Sequence, residues 1–174
     1  MVALLIEENS FLRVESDIRS ICPDIKVVVM TTGGDLHCNG SAIAIKDAKP
    51  DMAWLSFDLF ANNLMQKFAE LILCVGSVKW MQTFNAGLER PFYRDIFKQG
   101  TRITKSNAQA IAIAEYVISN VMAIFQGIFE RKIHQNLHQW KKTSFRELWR
   151  TRWLIIGFGN IGQEIARRVK GFEC

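Results

Sequence analysis

The chain has 174 residues, room for one ordinary domain or for a small domain and part of another. Hydrophobic residues make up 49% and charged residues 22%, and 12 Phe with 5 Trp exclude a segment that stays solvated and disordered. The net charge of +5 is scattered among acids, apart from short clusters such as Lys141-Lys142 and Arg167-Arg168. Those read as solvated helical faces and not as a phosphate track, so nucleic acid is not an expected partner.

In chain order, residues 2–6 are an apolar run without a basic flank, too short for a signal segment, and read as a first buried strand. A helix follows through Phe11, Ile18 and Ile21, and Pro23 ends it. Residues 25–30, rich in β-branched side chains, read as a second strand. Thr31-Thr32-Gly33-Gly34 is a loop, and His37 lies in a glycine-rich polar stretch that also reads as loop. Residues 52–55 are a third strand, and helical spacing returns through Leu59, Leu64, Phe68, Leu71 and Ile72. Residues 78–83 form a fourth strand that runs into Asn85-Ala86-Gly87, and Ile103-Thr104 is a short fifth. Short strands alternating with helices indicate an α/β fold with a largely parallel sheet.

A long helix is expected over about 108–126, with Ala and Ile crowding its first half. Residues 111–129 are the one membrane candidate, but they include Glu115, Asn120 and Gln126. A charge near a bilayer centre costs roughly 3 kcal/mol, which favours a buried or amphipathic helix of a soluble protein. Residues 130–152 are polar with aromatic punctuation at Trp140, Phe145 and Trp149, suited to a bridge between domains. Cys22, Cys38, Cys74 and Cys174 are far apart and form no C-x-x-C pair, so the expectation is no metal and a reduced, cytoplasmic protein. His134 and His138 stand at i, i+4 without a third ligand and read as surface helix residues.

The motif with chemistry in it is Gly157-Phe158-Gly159-Asn160-Ile161-Gly162, preceded by an apolar strand over 153–156 and followed by a helix over 163–172. Gly157 permits a tight turn, Gly159 lets the backbone approach a pyrophosphate, and Gly162 allows close helix–strand packing. The N–H groups at the helix start and the positive end of its dipole supply the anion site. The fingerprint expects an acidic residue about 20 positions further on, to meet the ribose. Twelve residues follow Gly162 here, so the expectation is a dinucleotide unit that is incomplete in this chain, with NAD and NADP undistinguished.

Further residues carry a resemblance. Val78-Lys79-Trp80-Met81-Gln82 with Asn85-Ala86-Gly87-Leu88-Glu89 is similar to the segment "LKWVQ…SAGVD" of the D-isomer-specific 2-hydroxyacid dehydrogenases. Ile103 to Ala108, with Ile113-Ala114-Glu115-Tyr116-Val117, resembles their "LTN…IAEYV" stretch, and 153–165 resembles "LLIVGLGNIGREIA". The order and spacing of the three pieces also agree.

The resemblance implies a flavodoxin-like substrate domain over residues 1–105, then a crossover helix and the start of an NAD(P)-binding Rossmann domain over 106–174. It implies that Asn85, Ala86 and Gly87 bind the substrate carboxylate through backbone N–H groups, and that Ala86 lies beside the nicotinamide. It implies cofactor contacts from Ile113 at a hinge and from Gly157, Phe158, Gly159, Asn160, Ile161 and Gly162. The implied partners are a small 2-hydroxy or 2-keto acid and a second copy in a homodimer. Glu89 stands where the family has Asp, at a position expected to stabilise the turn. The family's catalytic Arg, acidic residue and His fall beyond residue 174, so no catalytic residue is assigned and turnover by this stretch is not expected. A non-catalytic, dinucleotide-sensing protein of the same fold is the alternative, and a fragment with an unpaired, aggregating sheet edge is a second.

Overall fold

The computed structural model describes residues 2–174, which fall into two compact units, Met1–Ser106 and Asn107–Cys174. In the first, β1 (Ala3–Glu7) is buried at all five positions and pairs on both edges with parallel neighbours. Its side chains alternate between faces, as the two-residue period of a strand requires. Leu5 joins one core with Val28, Phe68, Ile72 and Met81, whereas Leu4 and Ile6 join another with Phe11 and Val27.

The elements that follow are α1 (Glu8–Ile21), β2 (Lys26–Met30), β3 (Leu36–Cys38), β4 (Ser41–Ala42), β5 (Met52–Leu55), α2 (Phe57–Ala61), α3 (Met65–Val75), β6 (Trp80–Thr83), α4 (Pro91–Lys98) and β7 (Arg102–Thr104). The sheet has seven strands in the order β4-β3-β2-β1-β5-β6-β7. Its parallel part, β2-β1-β5-β6-β7, places the second strand on one side of the first and all later ones on the other. That is the flavodoxin-like order expected from the resemblance, with α1 against β1 and β2, α3 against β5 and α4 against β7.

Two sequence expectations need correction here, and one element is new. His37 is not in a loop: it lies on β3, opposite Val29 on one side and Ala42 on the other, in an antiparallel hairpin added to the β2 edge. The hairpin turns at Asn39 and Gly40, both with positive φ, and strands so short show no periodicity. The helical stretch after β5 is two helices, because Asn63 has φ 57 and breaks the run between Ala61 and Met65. Helix α4, starting at Pro91 in its first turn, was not legible as an element.

In the second unit, α5 (Ala110–Phe125), α6 (Ile128–Asn136) and α7 (Asn160–Val169) are the principal helices. The small residues Ala110 and Ala114 are buried, and α5 packs on α7 with Glu115 and Arg168 3.5 Å apart. No single described helix is long and apolar enough to cross a membrane; α5 and α6 together reach that length but bend by 62° where Gly127 adopts φ 61. Residues 153–156, expected as a strand, have no strand partner among the described residues. They keep the two-residue alternation, with Trp153 and Ile155 half-buried and Leu154 and Ile156 exposed. A strand's backbone bonds come from a neighbour, and none lies alongside. His134 is on α6 with a mostly buried side chain 3.5 Å from Glu130, whereas His138 lies past the helix end at φ 52, so the two do not share a helical face.

At the C-terminal end of β1, the Glu7 carboxylate caps α1 by accepting from the Ser10 N–H at 2.9 Å. Ser10 and Arg13 in turn donate from α1 to the Asp58 carboxylate in the first turn of α2. Burial raises the Asp58 pKa, but the Ser10 and Arg13 hydrogen bonds outweigh it and hold the group below its ordinary value of 3.8. A depressed carboxylate contributes stability above its unfolded value and loses it as pH falls through the folded one. Asp58→Asn should therefore lower urea stability at pH 7 by about 0.5–1 kcal/mol, the half-exposed pair being screened. The difference from the wild type should shrink below pH 3.8, which a pH series of unfolding curves would read.

Candidate functional site

All five parallel strands end on one rim of the sheet, and the loop after β6 leaves two backbone donors unpaired there. The Phe84 N–H donates to the Leu55 carbonyl at 3.0 Å, which ties the start of this loop to β5. Asn85 is held at three atoms. Its N–H donates to Thr83 Oγ1 at 3.2 Å, its Nδ2 donates to Tyr93 Oη at 2.8 Å, and its carbonyl accepts from the Ser106 N–H at 3.2 Å. The next two N–H groups, of Ala86 and Gly87, donate to nothing among the described residues. Two adjacent unpaired amides at the end of a rigid strand are what a carboxylate can accept from.

Two features flank this loop. Phe57, Phe60 and Phe84 stack against one another, with centroids 5.6 Å apart for Phe57 and Phe84, and leave an apolar, half-exposed wall. The Glu89 carboxylate folds back over Gly87, into the space a side chain there would fill. Glu89 makes no hydrogen bond among the described residues, and it sets its carboxylate beside the Gly87 backbone.

The glycine turn lies in the second unit. Gly157 has φ 89, in the left-handed region that favours glycine. Gly162 is buried, and a Cβ there would strike the Gly157 carbonyl oxygen and come within 3.2 Å of Ile155 Cγ2. Only glycine lets α7 sit this close to the segment before it. Nothing approaches the Cβ directions of Gly157 and Gly159, so the outer face of the turn is open. Gly159 is the N-cap of α7 and carries no side chain to cap it, which leaves the N–H groups of the first turn for an external acceptor. Phe158 and Asn160 are exposed and Ile161 half-buried. These residues fit a dinucleotide pyrophosphate by open space, unpaired donors and dipole together.

Ile113, expected at a hinge, is half-buried in the first turns of α5. A cavity of about 660 Å³ lined by Ile128, His134, Trp140 and Phe145 includes none of the sequence-predicted site residues. No cluster of metal-ligating side chains occurs among the described residues. Thr83 and Tyr93 are the site residues that the sequence did not reveal. Their hydroxyls lie 2.9 Å apart but their positions differ by ten residues, and no local spacing signals such a pair.

Residues 118–174 match the family described as D-isomer specific 2-hydroxyacid dehydrogenase, NAD binding domain. No curated protein matches the chain in sequence. Among solved structures, a glyoxylate reductase from Paecilomyes thermophila is 20% identical with TM-score 0.66, covering 99% of this chain and 53% of that one. D-2-hydroxyisocaproate dehydrogenase is 14% identical with TM-score 0.66, covering 98% and 51%. A D-lactate dehydrogenase from Treponema pallidum is 16% identical with TM-score 0.63, also covering 98% and 51%. The chain thus spans about half the length of the structures it matches, and at these identities they establish its fold. The matched domain is an NAD-binding one, so NAD or NADP is the cofactor to which the open glycine turn corresponds. Residues 118–174 are thus similar to the NAD binding domain of the D-isomer specific 2-hydroxyacid dehydrogenases, and the whole chain has the fold of solved structures of such enzymes.

Proposed function

We propose that this chain forms part of an NAD(P)-dependent oxidoreductase that interconverts a small 2-hydroxy acid and its 2-keto acid. The observation that carries this reading is the pair of unpaired amides at Ala86 and Gly87, in a chain that also bears the open turn at residues 157–162. Residues 1–105 are the substrate domain in this reading, and 106–174 hold the crossover helix and the beginning of the nucleotide domain. Asn85 positions the loop, and the amides of Ala86 and Gly87 bind the substrate carboxylate. The N–H groups following Gly157 hold the pyrophosphate, with Phe158, Gly159, Asn160 and Ile161 lining it and Gly162 keeping the helix close. Ala86 and Ile113 are the further cofactor contacts. Bound NAD(P) supplies hydride transfer at the nicotinamide.

These residues bind and orient; they do not supply the proton chemistry. His37 is committed to a strand edge, and no base, cation and acid converge on the Asn85 loop among the described residues. Turnover is therefore a property of the whole enzyme, not of this stretch. A homodimer through the second unit is part of the reading, because that unit leaves Tyr116, Ile124, Phe129, Ile133 and Trp140 exposed. Four unpaired cysteines fit a reducing, cytoplasmic setting. Neither nucleic acid nor a membrane belongs to it.

Titration of the 174-residue chain with NADH and, separately, with pyruvate tests the reading. Quenching of protein fluorescence by NADH at micromolar concentrations and amide NMR shifts at Ala86 and Gly87 with pyruvate are expected, without substrate turnover. NADH binding with no effect of any 2-keto acid would favour a dinucleotide sensor instead. Gly162→Ala must push α7 away from the Gly157 carbonyl, and it should weaken NADH binding at least tenfold while leaving the pyruvate shifts unchanged. Equal NADH affinity in that variant would remove the glycine turn from the site.

A further inference from the structure

We infer that Tyr93 is a positioning residue for the carboxylate loop, its buried hydroxyl fixing Asn85 so that the Ala86 and Gly87 amides stay aimed outward. This inference rests on the carboxylate role proposed above for that loop. Tyr93 sits in the first turn and a half of α4, is 2% exposed and packs its ring against Phe92 with centroids 4.4 Å apart. Its hydroxyl bridges two groups. It shares a hydrogen bond of 2.9 Å with Thr83 Oγ1 and accepts from Asn85 Nδ2 at 2.8 Å. Thr83 is fully buried at the end of β6 and also accepts the Asn85 N–H at 3.2 Å. Three hydrogen bonds thus close a ring through Thr83, Tyr93 and Asn85, joining the end of a central strand, a helix and the loop.

The ring gives a loop with unpaired donors a means of keeping one conformation. Beyond Asn85 no backbone bond holds Ala86 or Gly87, and small residues restrict the chain little. The buried Thr83 and Tyr93 hydroxyls are satisfied within the ring, and such a network fixes the direction in which the chain leaves Asn85. Burial raises the Tyr93 pKa further than its hydrogen bonds to Thr83 and Asn85 lower it, so the phenol stays neutral and brings no negative charge to the anion loop. The part of Tyr93 that matters is one oxygen, since Phe would fill the same apolar site beside Phe92.

Tyr93→Phe therefore separates positioning from packing. Hydrogen exchange followed by NMR in the free 174-residue chain should speed up about tenfold at the bonded amides of Asn85 and Ser106 and stay at wild-type rates through α3 and β5. Pyruvate should bind at least fivefold more weakly, judged from the Ala86 and Gly87 amide shifts, with NADH affinity unchanged. Asn85→Ser, which removes the reach to Tyr93 at a half-buried position, should reproduce the faster exchange and decides the matter if the Phe variant does not fold. Wild-type exchange rates and pyruvate affinity in the variants, or acceleration spread evenly over the first unit, would overturn the inference. If pyruvate shifts no amide even in the wild type, the carboxylate role itself fails; that result is recognised before any variant is made.

Discussion

The first unit depends on β1 being buried on both faces and paired on both edges. A strand in that position must be apolar throughout, and Ala3 to Ile6 is, with the buried Glu7 carboxylate consumed in capping α1. Once β1 is central, α1 returns the chain to β2 on one side and the remaining parallel strands add on the other. The C-terminal ends of β1, β5, β6 and β7 then share one rim, where α/β sheets of this order hold their ligands. The Asn85 loop comes to that rim because β6 is parallel to its neighbours, whatever the loop's own sequence. Asp58, clamped by Ser10 and Arg13 of α1, closes the crevice between β1 and β5, where the strand order reverses.

The parallel strands were legible because each is a compact apolar run between polar turns. Residues 52–55 agree with β5 at both ends, and β2 and β6 begin only one or two residues later than their apolar runs. What escaped was structure whose cause is not periodic. The β3–β4 hairpin is three residues against two, held by pairing with β2 and turned by Asn39 at φ 51, and His37 within it reads as loop by composition. The α2–α3 break rests on one left-handed Asn63 in a stretch whose hydrophobic spacing continues past it. Helix α4 hides because its buried face, Phe92, Tyr93 and Ile96, is too short to establish a helical period.

The site divides in the same way. Glycine roles at residues 157–162 can be read from order alone, because each is a steric demand on a neighbour in the motif: the Gly162 Cβ direction is filled by Gly157 and Ile155. The strand before it was legible as an apolar run but is not a strand in the structure, since pairing is a property of two segments and sequence shows only one. Leu154 is 86% and Ile156 93% exposed, so the run buries only its Trp153 and Ile155 side. Tyr93 escaped for a related reason. Its inferred role is carried by a hydroxyl whose two partners are fixed by tertiary packing, and the same tyrosine elsewhere would be ordinary core.

Both proposed anion sites use backbone N–H groups, and this explains why net charge said little about function. A lysine or arginine near a carboxylate shows in the composition but brings a flexible stem that must be ordered on binding. Amides at the end of a strand or the start of a helix are ordered when the chain folds, so the anion meets donors already in place. The requirement moves from charge to geometry: the donors must be unpaired, and something else must hold the backbone still. At residues 158–161 the holding element is the close seat of α7, through Gly162, against the Gly157 carbonyl. At Ala86 and Gly87 the loop has no helix of its own until Pro91, and the inferred holding groups are the buried hydroxyls of Thr83 and Tyr93 with the half-buried Asn85. A neutral phenol suits that place better than a lysine would. It holds the loop without competing for the carboxylate, while Glu89 sets a carboxylate over Gly87 that the ligand must displace or tolerate.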